Sequence, residues 1–98
     1  MYFADLCLDP VKHKVWRKEK ELDLTAKEYD LLEYLVQNPN QVLTRNMIAD
    51  AVWPGGFDTF TNIIDVYINY LRKKIDKGHE RKLIHTARGL GYIFKDEE

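Results

Sequence analysis

Asn62, Val66, Asn69 and Lys73 recur at helical spacing, with Tyr70 on the shoulder of the same face. At about 100° per residue they lie along one side of a helix. The other side carries Ile64, Ile68, Leu71 and Ile75 at i, i+4, i+7 and i+11, a narrow apolar stripe suited to a core. An ordinary solvated face would be mainly Glu and Lys. This one offers amides, a ring, a β-branched aliphatic and cations, the groups that meet base edges and phosphates. An α-helix fits the major groove, where Asn pairs bidentately with adenine and an aliphatic group meets a thymine methyl. Seven residues separate Asn62 from Asn69, about 10.5 Å along a helix and so roughly three base steps. Lys73 would reach a phosphate or a guanine. The plain alternative is a helix whose exposed face happens to be rich in Asn.

Two further groups fit the same chemistry. Thr86 and Arg88 precede Gly89 and Gly91, where a basic side chain on a protruding hairpin tip can enter a minor groove. Thr44 and Arg45, at a helix start, can hold a backbone phosphate through side chains and free N–H groups. Arg88 alone would read as a solvated hairpin residue.

Catalytic chemistry finds no foothold, so the expectation is a protein that is not an enzyme and has no cofactor. His13, His79 and His85 fall in different elements, with no Cys or acid set at metal-ligand spacing. No third Gly follows Gly89 and Gly91, and a strand rather than a helix comes next, against a phosphate loop. Hairpin geometry accounts for both glycines.

The elements that must position these residues are legible in order. Residues 2–8, YFADLCL, alternate with Tyr2, Ala4, Leu6 and Leu8 on one side, which predicts one half-buried strand. Residues 13–17 form a second strand through Val15 and Trp16, residues 17–21 (RKEKE) a solvated turn, and residues 21–24 a short third strand. Thr25 and Glu28 spell a capping box. The helix it opens turns Tyr29, Leu32, Leu35 and Val36 inward, with Leu31 and Tyr34 flanking, and stops at residues 38–40 (NPN). Thr44 caps a second helix that packs Ile48, Ala51 and Val52 inward. Residues 53–61 (WPGGFDTFT) are irregular. The third helix covers residues 61–75, a polar turn residues 76–81, and a terminal hairpin follows. The order is β-β-β-α-α-loop-α-β-β, one α+β domain over residues 1–98.

Composition sets the outer bounds. Ninety-eight residues make one domain with a single core, and 45% hydrophobic content is that of a globular chain. No apolar run nears the roughly 20 residues of a membrane span. The single Cys7 suits a reducing, cytoplasmic setting, as a small hydrophobe in a strand. Net charge is −1, but residues 61–95 hold eight Lys and Arg against three acids, a net +5, and the remainder seven against thirteen, a net −6. That polarity can steer a polyanion to one face.

Over nearly its whole length the chain resembles the C-terminal effector domain of OmpR/PhoB-type response regulators. The matching stretches are residues 24–32 (LTAKEYDLL), 42–45 (VLTR), 51–53 (AVW), 62–68 (NIIDVYI) with 71–75 (LRKKI), and 84–94 (IHTARGLGYIF). The resemblance implies a winged helix-turn-helix: an antiparallel N-terminal sheet of about four strands, a three-helix core and a C-terminal β-hairpin wing. It implies sequence-specific promoter binding by tandem copies on direct repeats, in a bacterial two-component phosphorelay. Asn62, Val66, Asn69, Tyr70 and Arg72 match the family's base-reading positions, and Thr86 and Arg88 match wing contacts. The loop with Trp53, Phe57, Asp58 and Phe60 matches one that touches RNA polymerase in some members, or its aromatics simply pack the loop down.

The departures from the family are specific. Members often carry Arg at the positions of Asn69 and Tyr70, so this chain's site should differ. Ala87 stands where Val is usual, and the turn at residues 17–20 lacks the common Gly. The receiver domain, with its phosphoacceptor Asp and its sensor histidine kinase, is not in this sequence, and Met1 directly before the first strand reads as an isolated effector domain. Neither a membrane nor a small-molecule substrate is expected as a partner. The rival expectation is a winged-helix protein–protein interaction module that binds no DNA and uses the aromatics of residues 53–60 or a sheet edge.

Overall fold

The computed structural model describes residues 1–56 and 62–96. Two antiparallel sheets flank a bundle of three helices. The first sheet holds β1 (Tyr2–Phe3), β2 (Leu6–Asp9), β3 (Lys14–Arg17) and β4 (Lys20–Leu22) in simple meander order. Then come α1 (Ala26–Gln37), β5 (Val42–Thr44), α2 (Arg45–Val52) and α3 (Ile63–Leu71). A π-helical turn over Arg72–Asp76 extends α3, and β6 (Ile84–Ala87) and β7 (Gly91–Phe94) form the C-terminal hairpin. β5 adds to that hairpin, giving a second sheet in the order β5-β7-β6. This is the α+β arrangement, with a four-stranded N-terminal sheet and a terminal wing, that the resemblance implies.

Several expectations need correction. Residues 2–8 are not one strand: the chain reverses at Ala4 and Asp5, with Ala4 in the left-handed region at φ 54°, and pairs Phe3 with Leu6. The reversal puts Phe3 against Phe94 in the core and leaves Tyr2 exposed. The third strand of the sequence reading begins a residue earlier and ends at Leu22. Its turn is only Lys18-Glu19, both at positive φ (50° and 69°), because a two-residue hairpin loop matches strand twist in that conformation. Arg17 therefore belongs to β3, not to a solvated tip, and is 1% exposed. β5 carries no strand signal in the sequence, because three residues beside a helix cap are too few to show an alternating pattern.

The helices follow their caps. Thr25 Oγ1 accepts from Glu28 N–H, and Glu28 returns a bond to Thr25 N–H at 2.8 Å, the expected capping box. Tyr29, Leu31, Leu32, Leu35 and Val36 are buried as one side of α1. Thr44 caps α2 by accepting from Met47 N–H. Ile48 and Val52 point inward, but Ala51 is exposed; Ala49 packs on the core instead. Ile64, Ile68, Leu71 and Ile75 are buried as the stripe predicts. The helix does not run regularly to residue 75. Lys77 N–H reaches back to Arg72 O, five residues away, and the widened turn leaves Asp76 buried beside Ile75 rather than in a polar loop.

Candidate nucleic-acid interface

Seating its apolar stripe in the core fixes which side of α3 faces outward. Asn62 stands at the N-cap, exposed, with no side-chain capping bond. Val66 is half-buried, Asn69 and Lys73 are exposed, and Tyr70 is 45% exposed. Tyr70 is held at its base by an edge contact with Tyr67, which in turn meets Trp53 edge-on at 5.2 Å. Trp53 thus packs on α3, with Lys27 over its ring. Phe57, Asp58 and Phe60 lie outside the described residues.

The wing stands beside the end of α3. Arg72 donates to Thr86 Oγ1 at 2.7 Å and to Ile84 O at 3.4 Å, tying the helix to β6. Two expected contact residues therefore engage one another. Arg88 is exposed at the hairpin turn, where Leu90 N–H closes on Ala87 O and Gly89 takes φ +75°. Leu90 is also exposed at this tip, an apolar group no spacing argument had singled out.

Gly91 has a different cause from Gly89. A Cβ there would stand 2.1 Å from Leu43 O, so the residue is bare because β5 passes against it, and hairpin geometry is not the reason. That close approach places Thr44 and Arg45 against β7, in the pairing Thr44 with Gly91. Arg45 Nε donates to Asp65 Oδ1 at 3.0 Å, and its guanidinium lies over the Tyr92 ring. Tyr92 donates its hydroxyl to the same Asp65 oxygen, and Arg72 covers the same ring. The Asp65 carboxylate raises the pKa of Arg45, while burial first and Asp65 second raise that of Tyr92. Both groups keep their protons at neutral pH. Asp65 and Tyr92 thus hold Arg45, and Tyr92 also meets Arg72; both lie in stretches that match the family, but spacing gives neither a role.

An open groove of about 860 Å³ runs between the end of α3 and the wing, where Arg72, Lys73, Lys77 and Lys82 outnumber the acids Asp76 and Glu80 in its lining. The positive pole of the sequence takes physical form here. Lys77 and Lys82 belong to it although the spacing argument placed neither. The histidines have separate surroundings: His13 stacks on Tyr29, burial lowers the pKa of His79, and His85 meets Lys82 O. Among the described residues no His, Cys, Asp and Glu group could hold a metal ion.

Comparison with known proteins decides the family. The profile described as "Transcriptional regulatory protein, C terminal" matches residues 19–94. The chain belongs to this family, in its OmpR/PhoB-type branch. Response regulator MprA of Mycobacterium avium is 46% identical over 96 residues, covering 98% of this chain and 42% of the regulator. The chain thus spans less than half the length of such curated relatives. The DNA-binding domain of Escherichia coli CpxR superimposes with a TM-score of 0.85 at 28% identity, covering 100% of this chain and 97% of that one. The Klebsiella pneumoniae RstA DNA-binding domain, solved in complex with its RstA box, gives 0.86 at 26% identity, covering 99% and 97%. The fold is the winged-helix domain of these regulators. No helix among the described residues is long and apolar enough to cross a membrane.

Proposed function

We propose that this domain binds double-stranded DNA sequence-specifically and controls transcription as the effector part of a two-component response regulator. The observation that carries this is the join of two surfaces: the exposed Asn62, Asn69 and Tyr70 face of α3 runs directly into the basic groove beside the wing. α3 supplies base contacts in the major groove through Asn62, Val66, Asn69 and Tyr70. Lys73, Thr44 and Arg45 face the backbone phosphates, and Arg88 at the wing tip reaches toward the adjacent minor groove. Arg72 and Thr86, already bonded to each other, hold helix and wing in register as they meet the duplex.

In the whole regulator, phosphorylation of a receiver domain by a sensor histidine kinase governs tandem copies on direct repeats. RNA polymerase meets the loop that holds Trp53, Phe57, Asp58 and Phe60.

Selection of duplexes from a random pool, followed by titration against salt, tests the central claim. We expect one enriched sequence and a linear fall of log affinity with log salt, about 0.9 per phosphate contact. Absence of any DNA binding would instead favour a protein-binding module.

A further inference from the structure

Among the described residues Arg17 is the one buried cation, and its guanidinium is spent inside the molecule. It lies in β3, in the N-terminal sheet, yet three of its partners come from the π turn that ends α3 and from the segment leading to the wing. Nε donates to Asp5 at 2.9 Å, in the turn between β1 and β2. Nη1 donates to Ile75 O and to Asp76 Oδ1, the latter at 3.1 Å, at the close of the π turn. Nη2 donates to Arg81 O, on the approach to the wing. Asp76, 4% exposed, passes the link on: its Oδ1 accepts from Leu83 N–H at 3.0 Å and its Oδ2 from Ile84 N–H at 3.1 Å. Ile84 opens β6, the first strand of the wing.

Such a pair is costly to bury and is no argument for stability by itself, since an apolar replacement is often as stable. What it supplies is geometry. A planar fork with several fixed donors sets angles that packing against Leu or Ile does not. The Arg17–Asp76 pair lies between the end of α3 and the start of the wing, inboard of the surface links that Arg72 makes to Thr86 and Ile84 O and that Lys82 makes to Asp76 O.

We infer that Arg17 is a positioning residue for DNA reading: it fixes the angle between α3 and the wing, so that duplex specificity depends on a side chain that never touches DNA. The inference rests on the DNA-binding reading above.

The test uses this 98-residue chain with two readouts. Arg17→Lys keeps the charge but loses the fork, and Asp76→Asn keeps the outline but loses the charge and one of the two acceptor oxygens that take the Leu83 and Ile84 N–H groups. In the free domain, amide exchange at Leu83 and Ile84 should accelerate by about tenfold more than exchange at Leu31 and Leu32 in α1. On DNA, the ratio of affinity for a pool-selected duplex to that for a random duplex should fall about tenfold, while the salt slope stays unchanged because no phosphate contact is lost. If either variant does not fold, Asp5→Asn removes a single outer partner of the guanidinium and should move both readouts the same way by a smaller factor. Exchange that rises equally in α1 and the wing would make Arg17 a purely structural residue and overturn the inference. An unchanged affinity ratio with a loosened wing would overturn it too. A wild-type chain that selects no duplex sinks the DNA reading, and the exchange measurement then still decides whether Arg17 sets the wing.

Discussion

Asn69 stands on the exposed side of a helix whose opposite side, Ile64, Ile68 and Leu71, is sealed in the core. Its amide can form a bidentate pair with an adenine. Asn69→Ala should cost about 1–3 kcal/mol on the selected duplex and relax preference at one base pair. Equal losses on selected and random duplexes, titrated at one salt concentration, would remove Asn69 from base reading. Lys73, one turn further along, carries a point charge with no fixed geometry, which suits a phosphate better than a base edge under the DNA reading proposed above. Lys73→Ala should weaken all duplexes alike and lower the salt slope by about 0.9. These residues were legible because a helical period assigns a face to each side chain whatever the tertiary structure does. Arg45, Arg72 and Thr86 were named equally well by type and place, but their partners were not. Asp65 and Tyr92 anchor the two arginines across more than a dozen residues of chain, a separation that no local pattern encodes.

Elements were recovered where a local signal forces them. The capping box starts α1 and the terminal glycines mark the wing. They were misread where two local signals compete. The alternation over residues 2–8 is genuine, yet a turn at Ala4 and Asp5 changes its phase, favoured by Phe3 packing on Phe94 and by Asp5 meeting Arg17 and Lys18. The β3–β4 turn shows the cost of an unhelped signal. Lys18 and Glu19 both adopt positive φ without glycine, a conformation that costs an L-residue about 1–2 kcal/mol. Gly is freer in the unfolded chain, which returns about half of that. Glu19→Gly should therefore stabilise the domain by about 0.5–1 kcal/mol, read as a higher urea midpoint at unchanged m value. At the other sheet the sign reverses. Gly91→Ala would drive a Cβ into Leu43 O, part of the β5 backbone, and β5 must move with Thr44 and Arg45. We expect a loss of about 1–3 kcal/mol, together with weakened DNA binding at temperatures where the variant is still folded.

Across the described residues, the charged side chains that the composition treats alike include a set lining the groove, a set exposed elsewhere, and an inner set bonded within the fold. Arg17 read as part of a solvated run and Asp76 as a polar turn; each is buried because the other is there. Glu28 belongs to the same inner set. Its carboxylate closes the α1 capping box and accepts from Lys74 Nζ at 2.6 Å, joining α1 to the turn that ends α3. Burial pushes its pKa upward, but the bonds from Lys74 and Thr25 outweigh it and hold the pKa below the usual carboxylate value. A carboxyl whose folded pKa is depressed stabilises the fold fully above its unfolded value, about 4.3, and loses that contribution as pH falls through the folded value. Glu28→Gln keeps the shape and cannot ionise, so it should be less stable than wild type by about 1–2 kcal/mol at neutral pH. The gap should close in acid, below the folded pKa, because every other carboxylate titrates alike in both proteins. Urea unfolding of the two proteins from pH 7 down to about pH 3, at constant ionic strength, measures the gap directly. A gap that stays constant across that range would mean that the charge of Glu28, as distinct from its hydrogen-bonding shape, does not join α1 to the end of α3.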